Sequence, residues 1–116
     1  MKTKNNGKRN RTRGLSYERS IASQMRDLGW DKACTSRYAS RMKDDQKVDI
    51  CFVDPFNIQC KATDKCVNYR EVLGEIVQDQ NWNVVFNKVT GKGEYVIMEK
   101  SDFYEIISSM KREGII

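Results

Sequence analysis

The chain contains no histidine, a single proline and no CxxC pair among its four cysteines. Without an imidazole there is no Ser-His or Cys-His hydrolase and no His-ligated metal centre, so any chemistry falls to carboxylate, amide and lysine groups. Cys34, Cys51, Cys60 and Cys66 lie partly inside apolar runs, which reads as reduced core thiols rather than a zinc site or a disulfide framework. No apolar run approaches the roughly eighteen residues of a membrane span, and no signal-peptide core follows the basic N-terminus. A soluble, cytoplasmic protein with no membrane partner is therefore expected. At 116 residues and 39% hydrophobic content, the chain suits one domain with its own core.

What is present is unevenly distributed. The net charge is +5, yet Lys2, Lys4, Lys8, Arg9, Arg11 and Arg13 all precede the first acid, so the body beyond them is close to neutral. With Asn5, Asn6, Gly7 and Asn10 between these charges, residues 1–13 read as a flexible basic arm and 14–116 as a single domain. Such an arm suits a polyanion, most often nucleic acid; a solubilising tail is the plainer alternative.

The most informative stretch is Val48 to Lys61. Two short arms, Val48 to Val53 and Asn57 to Lys61, are rich in Val, Ile, Phe and Cys and meet at Asp54-Pro55-Phe56-Asn57, which has the chemistry of a turn. Counting outward from Pro55-Phe56 places Asp49 opposite Lys61 or Ala62, and the period of two puts Gln59 and Lys61 on one face. A carboxylate, an amide oxygen and an ammonium at one end of a β-hairpin can serve a hard cation and a water. A solvated strand end with a salt bridge is the alternative.

From Leu15 to Leu28 the positions Leu15, Ile21, Ala22, Met25 and Leu28 share one helical face, and Gly29 can close the helix. Glu18 projects into that apolar stripe. A carboxylate there needs a partner, either a surface arginine, Arg19 or Arg26, or the Asp49 end of the hairpin.

Trp30 to Thr35 can form a first strand, and Ser36 to Lys47 reads as a weakly structured polar stretch. Its Arg37, Arg41, Lys43 and Lys47, with Ser36, Ser40 and a Tyr38 available for stacking, could follow a phosphate backbone, although Asp44 and Asp45 oppose this. Further on, Asn68 and Glu71 form a capping-box-like start for a helix from Tyr69 to about Asp79 that buries Tyr69, Val72, Leu73, Ile76 and Val77. Trp82 to Val89 and Glu94 to Glu99 read as a second hairpin. Ser101 or Asp102 then caps a last helix with Phe103, Ile106, Ile107 and Met110 on its core face. The order is αβββαββα, an α/β chain of the α+β kind with a mixed central sheet flanked by helices.

Glu18, Asp49 and Gln59-Cys60-Lys61, on a helix followed by a hairpin, resemble the PD-(D/E)xK nuclease superfamily. Gly14-Leu-Ser-Tyr-Glu18-Arg19, Arg37, Ser40 and Val48-Asp49-Ile50 are similar to the archaeal and phage Holliday-junction resolvases, and the Gln59-Cys60-Lys61 form also resembles Mrr-like restriction enzymes. The resemblance runs from about Gly14 to Lys61. It implies a restriction-endonuclease-like core, so that 14–116 would be a single nuclease domain.

By the same resemblance, Asp49 would be the central metal ligand, joined by the Gln59 side-chain oxygen and the Cys60 main-chain carbonyl. Glu18 would bind the ion through water or support a second one, and Lys61 would orient the attacking water. Mg²⁺ is the implied cofactor, with Mn²⁺ expected to substitute and no small-molecule cofactor. Arg19 and Arg37 would hold phosphate. Lys8, Arg9, Arg11, Arg13, Ser40, Arg41, Lys43 and Lys47 complete the expected DNA contacts. The activity implied is phosphodiester hydrolysis at DNA four-way junctions by a homodimer. A restriction-type or repair nuclease on duplex DNA, and a non-catalytic nucleic-acid-binding domain, are the competing readings. Two positions depart from the pattern: Gln59 stands where most of the superfamily has Glu, which removes a negative charge and weakens metal binding, and Val48 stands where Pro is common.

Overall fold

The buried side chains Tyr17, Ile21, Ala22 and Met25 recur at helical spacing and anchor α1, Thr3–Asp27, against the sheet. The computed structural model describes the backbone of residues 3–116 and side chains from residue 7 onward; Lys2 lies outside the described residues. Helix α1 runs back through the expected arm instead of starting near Gly14. Once the buried turns have nucleated a helix, each further residue adds a hydrogen bond at little cost. Arg13 also fastens that end, with its Nη1 2.6 Å from Asp64 Oδ1 and 3.3 Å from Thr90 Oγ1. At the other end Gly29, with φ of 120°, lets the chain turn so that the Trp30 N–H reaches the Met25 carbonyl at 3.1 Å. Leu28 falls beyond the last turn and is exposed, contrary to its expected place in the apolar stripe.

The remaining elements are β1 (Cys34–Thr35), α2 (Ser36–Ala39), α3 (Arg41–Asp45), β2 (Ile50–Cys51), β3 (Phe56–Thr63), α4 (Tyr69–Glu75), β4 (Trp82–Val89), β5 (Gly93–Ile97) and α5 (Lys100–Arg112). They form an α+β fold around one five-stranded mixed sheet in the order β1-β2-β3-β4-β5, with β3 and β4 parallel and the other pairs antiparallel. Along β3 the side chains alternate between two cores. Ile58 and Cys60 face α1 together with Val84, whereas Val85, the partner of Gln59, packs with Val48, Val72, Leu73 and Ile76 on the α4 face.

Four expectations shift. The first strand is two residues long, and the polar stretch after it folds into α2 and α3, the second capped by Ser40 Oγ, which accepts from Lys43 N at 3.2 Å. The first hairpin is out of the expected register, for Ile50 pairs with Ile58 and Asp49 N–H donates to the Ile58 carbonyl at 2.7 Å. Asp49 therefore lies level with Ile58 and Gln59, not with Lys61 or Ala62. The tight turn spans Val53 to Phe56, one residue earlier than expected, and Phe52 takes a left-handed φ of 64°, so the count from the turn is displaced. Helix α4 stops at Glu75, with Tyr69 exposed. Its capping Asn68 accepts from Glu71 N at 3.3 Å. Finally, no residue of α5 is buried; its N-cap is Glu99, with no side-chain cap bond, and the expected core positions Phe103, Ile106, Ile107 and Met110 lie exposed or half-buried. A Trp82 Nε1 bond to Glu105 Oε1 at 2.7 Å ties this helix to the sheet.

Candidate active site

At the edge of β3 the ladder fails because β2 pairs at only one position, and Val48 N–H turns away to the Lys43 carbonyl at 2.9 Å. Cys60 N–H, left without a strand partner, donates to Asp49 Oδ2 at 2.7 Å. Main-chain groups of one strand residue point to the same side, so the Cys60 carbonyl is directed to that same open edge. The Asp49 side chain thus closes the gap that the departing strand leaves.

Asp49 is only 6% exposed, and its carboxyl is pushed up from 3.8 to about 7. Burial is the main cause; the Cys60 N–H works against it, the Glu18 charge adds to it, and Arg37 and Lys61 offset it further. These mutual influences place Glu18, Arg37 and Lys61 around Asp49. Glu18, 4% exposed on α1, accepts from Arg37 Nε at 3.1 Å and Nη2 at 3.4 Å, so its partner is the α2 arginine rather than Arg19 or Arg26. Arg26 instead donates to the Ala33 carbonyl at 2.7 Å.

Gln59 is 6% exposed and projects from β3 on the α4 face. Its Oε1 is buried with no hydrogen-bond partner. A buried acceptor with nothing to accept from is costly, and here it belongs to the residue that precedes Cys60, whose N–H holds the Asp49 carboxylate. Lys61, half-buried on the same face, follows two residues on, and its carbonyl accepts from Asn87 Nδ2 at 3.1 Å. The expected face-sharing of Gln59 and Lys61 holds, but that face is opposite the one that carries Glu18. The site therefore wraps the strand edge, with Glu18 and Arg37 on the α1 side, Gln59 and Lys61 on the α4 side, and Asp49 between.

Such a donor set suits a hard divalent cation: one buried carboxylate, an unsatisfied amide oxygen, an edge carbonyl and a second carboxylate nearby. Among the described residues, no three His, Cys, Asp or Glu side chains cluster as a ready ligand group. Amide and main-chain oxygens would therefore have to complete the ligand set. The thiols do not contribute. All four are free, and burial pushes those of Cys51 and Cys60 above their ordinary value, which keeps them protonated.

The expected phosphate contacts fall into separate groups. Arg19, Arg37 and Tyr38 line a cleft beside Glu18, with Tyr38 87% exposed. Ser40 is spent on its cap, Arg41 and Lys47 are exposed, and Lys43 is half-buried around α3. Lys8, Arg9 and Arg13 line a different groove along α1, and Arg11 is exposed on the same helix. Two contributors escaped the sequence reading: Lys88, on β4 opposite α1, and Asn87, which is fully buried. Asn87 holds the Lys61 strand with bonds from Val67 N at 3.2 Å and to Thr63 Oγ1 at 3.0 Å. An asparagine inside an apolar strand was the available signal. Among the described residues no helix is long and apolar enough to cross a membrane. Compared with protein-family models, with curated proteins and with solved structures, the chain has no match in any of the three.

Proposed function

We propose that the chain is a Mg²⁺-dependent DNA endonuclease of the PD-(D/E)xK kind, built on a restriction-endonuclease-like core and selective for branched DNA such as a four-way junction. The observation that carries this reading is the orphaned, buried Gln59 Oε1, on the residue next to the Cys60 whose N–H holds Asp49 at an open strand edge. An unsatisfied buried oxygen on the strand that also holds a buried carboxylate suits a cation better than it suits a folded core.

Asp49, Gln59 Oε1 and the Cys60 carbonyl would hold the ion, with Glu18 reaching it through water. When bound, Mg²⁺ supplies Lewis-acid stabilisation of charge on phosphoryl oxygen and makes a bound water more acidic. Lys61 orients the attacking water and stabilises negative charge as it builds on the phosphate. Arg37 holds Glu18 in place and presents its remaining N–H groups to a neighbouring phosphate, and Arg19 supplies a second contact in the same cleft. The Cys60 N–H fixes the rotamer of Asp49. Paired cuts across a junction need two sites, so the reading includes a homodimer.

A non-catalytic nucleic-acid-binding domain is the second reading, favoured by the two bonds from Arg37 that already occupy Glu18. Cleavage of an end-labelled four-way junction beside a linear duplex of the same sequence, with Mg²⁺ and with EDTA, separates them. Paired, Mg²⁺-dependent incisions confined to the junction are expected. Equal cutting of both substrates would move the protein to duplex nucleases, and binding without cutting would leave the second reading.

A further inference from the structure

The helix that carries Glu18 on one side forms, on another, one wall of a groove of about 630 Å³; its opposite wall is the far end of the sheet, with Ala62, Lys88 and Glu94. Lys8, Thr12, Ser16 and Ser20 line this groove at intervals of four residues, roughly 6 Å apart along a single ridge; Thr12 Oγ1 donates back to the Lys8 carbonyl at 3.0 Å, which leaves Lys8, Ser16 and Ser20 as the ridge's donors. Lys88 faces them from β4. Neither Lys8 nor Lys88 has a carboxylate partner among the described residues. Arg13, deeper in, spends its terminal nitrogens on Asp64, Thr90 and Asn10, yet its Nε is buried with no partner. The one acid lining the groove, Glu94, stands beside the buried Tyr17 hydroxyl, which burial and that carboxylate together keep protonated.

We propose that this groove is a second binding site, taking the sugar-phosphate backbone of a nucleic-acid strand through Lys8, Ser16, Ser20 and Lys88. Hydroxyl and ammonium donors repeated along a ridge are the groups that grip phosphate oxygens without reading bases. A lipid surface would instead be met by a convex face with apolar side chains to insert, and the ridge here is recessed and polar. The groove adjoins the candidate active site, since Tyr17 precedes Glu18 and Ala62 follows Lys61. It thus deepens the proposed function, resting on that reading's nucleic-acid substrate and not on hydrolysis.

The test is binding of a fluorescein-labelled oligonucleotide, single-stranded and as duplex, measured in EDTA across about 50 to about 200 mM salt. Lys8→Gln combined with Lys88→Gln should lower the slope of log K against log salt by about 2, so that the variant loses roughly tenfold less affinity than wild type over that range. A matched control, Lys100→Gln with Lys111→Gln on α5, should leave the slope unchanged. An unaltered slope in the groove variant, an equal fall in the control, or binding by wild type only to anionic phosphatidylserine vesicles would each overturn the proposal. Because no cleavage is measured, a protein that binds through the groove but never cuts would refute only the hydrolytic reading. Ser16→Asp, an exposed change on the same ridge, provides an independent repulsive probe and should weaken binding of both oligonucleotide forms.

Discussion

Replacing Asp49 by asparagine should make the metal-free protein more stable at neutral pH while removing its chemistry. The Asn Oδ1 can still accept the 2.7 Å bond from Cys60 N, so the strand edge stays closed. What disappears is a charge that the fold holds at a disadvantage. The folded carboxyl titrates at about 7 against 3.8 for the free group, so the folded state binds the extra proton between these values. A raised folded pKa means that the stability Asp49 contributes is fully present below about 3.8 and lost as pH rises through about 7. Three units correspond to about 4 kcal/mol at pH 8. The new amide N–H₂ must find acceptors in a buried site, which offsets about 1–2 kcal/mol. A net gain of about 2–3 kcal/mol remains, a rise in melting temperature on the order of 10 °C for a domain of this size. The assay is urea and thermal unfolding of both proteins in EDTA from pH 4 to pH 8, reading the difference between them so that other acids cancel. The variant should be about 1 kcal/mol less stable than wild type near pH 4, where only the amide cost remains, and should overtake it as pH rises towards 8. Added Mg²⁺ at about a hundred times its dissociation constant should return about 2.7 kcal/mol to wild type and nothing to the variant. A difference that is flat with pH, or a variant less stable at pH 8, would refute the reasoning.

Other substitutions probe the same site from its neighbours. Gln59→Glu adds the missing negative charge to the donor set and should lower the Mg²⁺ concentration for half-maximal cleavage by about tenfold, read by titrating the metal. Arg37→Ala leaves the buried Glu18 carboxylate without its two bonds; because Arg37 is itself half in solvent, the expected loss is about 1–2 kcal/mol, and Glu18→Gln in the same background should restore most of it in urea unfolding. Asn87→Ala removes the partner of Val67 N and the donor to the Lys61 carbonyl from a fully buried position, which should cost about 3 kcal/mol by the same measurement.

The sequence made some of this legible and hid the rest for physical reasons. Periodicity located the strands of the sheet and put Ile21, Ala22 and Met25 on the buried face of α1, because burial of apolar side chains writes a period of 2 or 3.6 directly into the chain. It missed the buried Tyr17 and took in the exposed Leu28. Glu18 was visible as a charge out of place in such a pattern. Its partner was not, since Arg37 reaches it from α2, nineteen positions away, and no local spacing encodes that meeting. The hairpin register failed at Phe52, whose left-handed backbone displaces the count, and an aromatic residue gives no sign of that conformation. The N-terminal charges were read as an unstructured arm because composition reports what a segment can do alone. It does not report that a helix already anchored by Tyr17 and Ile21 can extend into it.

That extension has a consequence for how the two binding features relate. Lys8 and Glu18 lie on one continuous helix, about 15 Å apart along its axis. Had residues 1–13 been a tether, a strand held by them could meet the carboxylates at any distance within reach of the tether. A helix fixes that distance. Backbone phosphates seated along Lys8, Ser16 and Ser20 would therefore be delivered to the Asp49 edge in a set register, and the position of a cut would follow from the helix rather than from base contacts. An alanine inserted after Thr12 rotates Lys8 by about 100° away from Lys88 while leaving Ser16, Ser20 and Glu18 in their packing. Cleavage by such a protein should lose its preferred position while keeping its dependence on Mg²⁺, and sequencing-gel mapping of the products reads both.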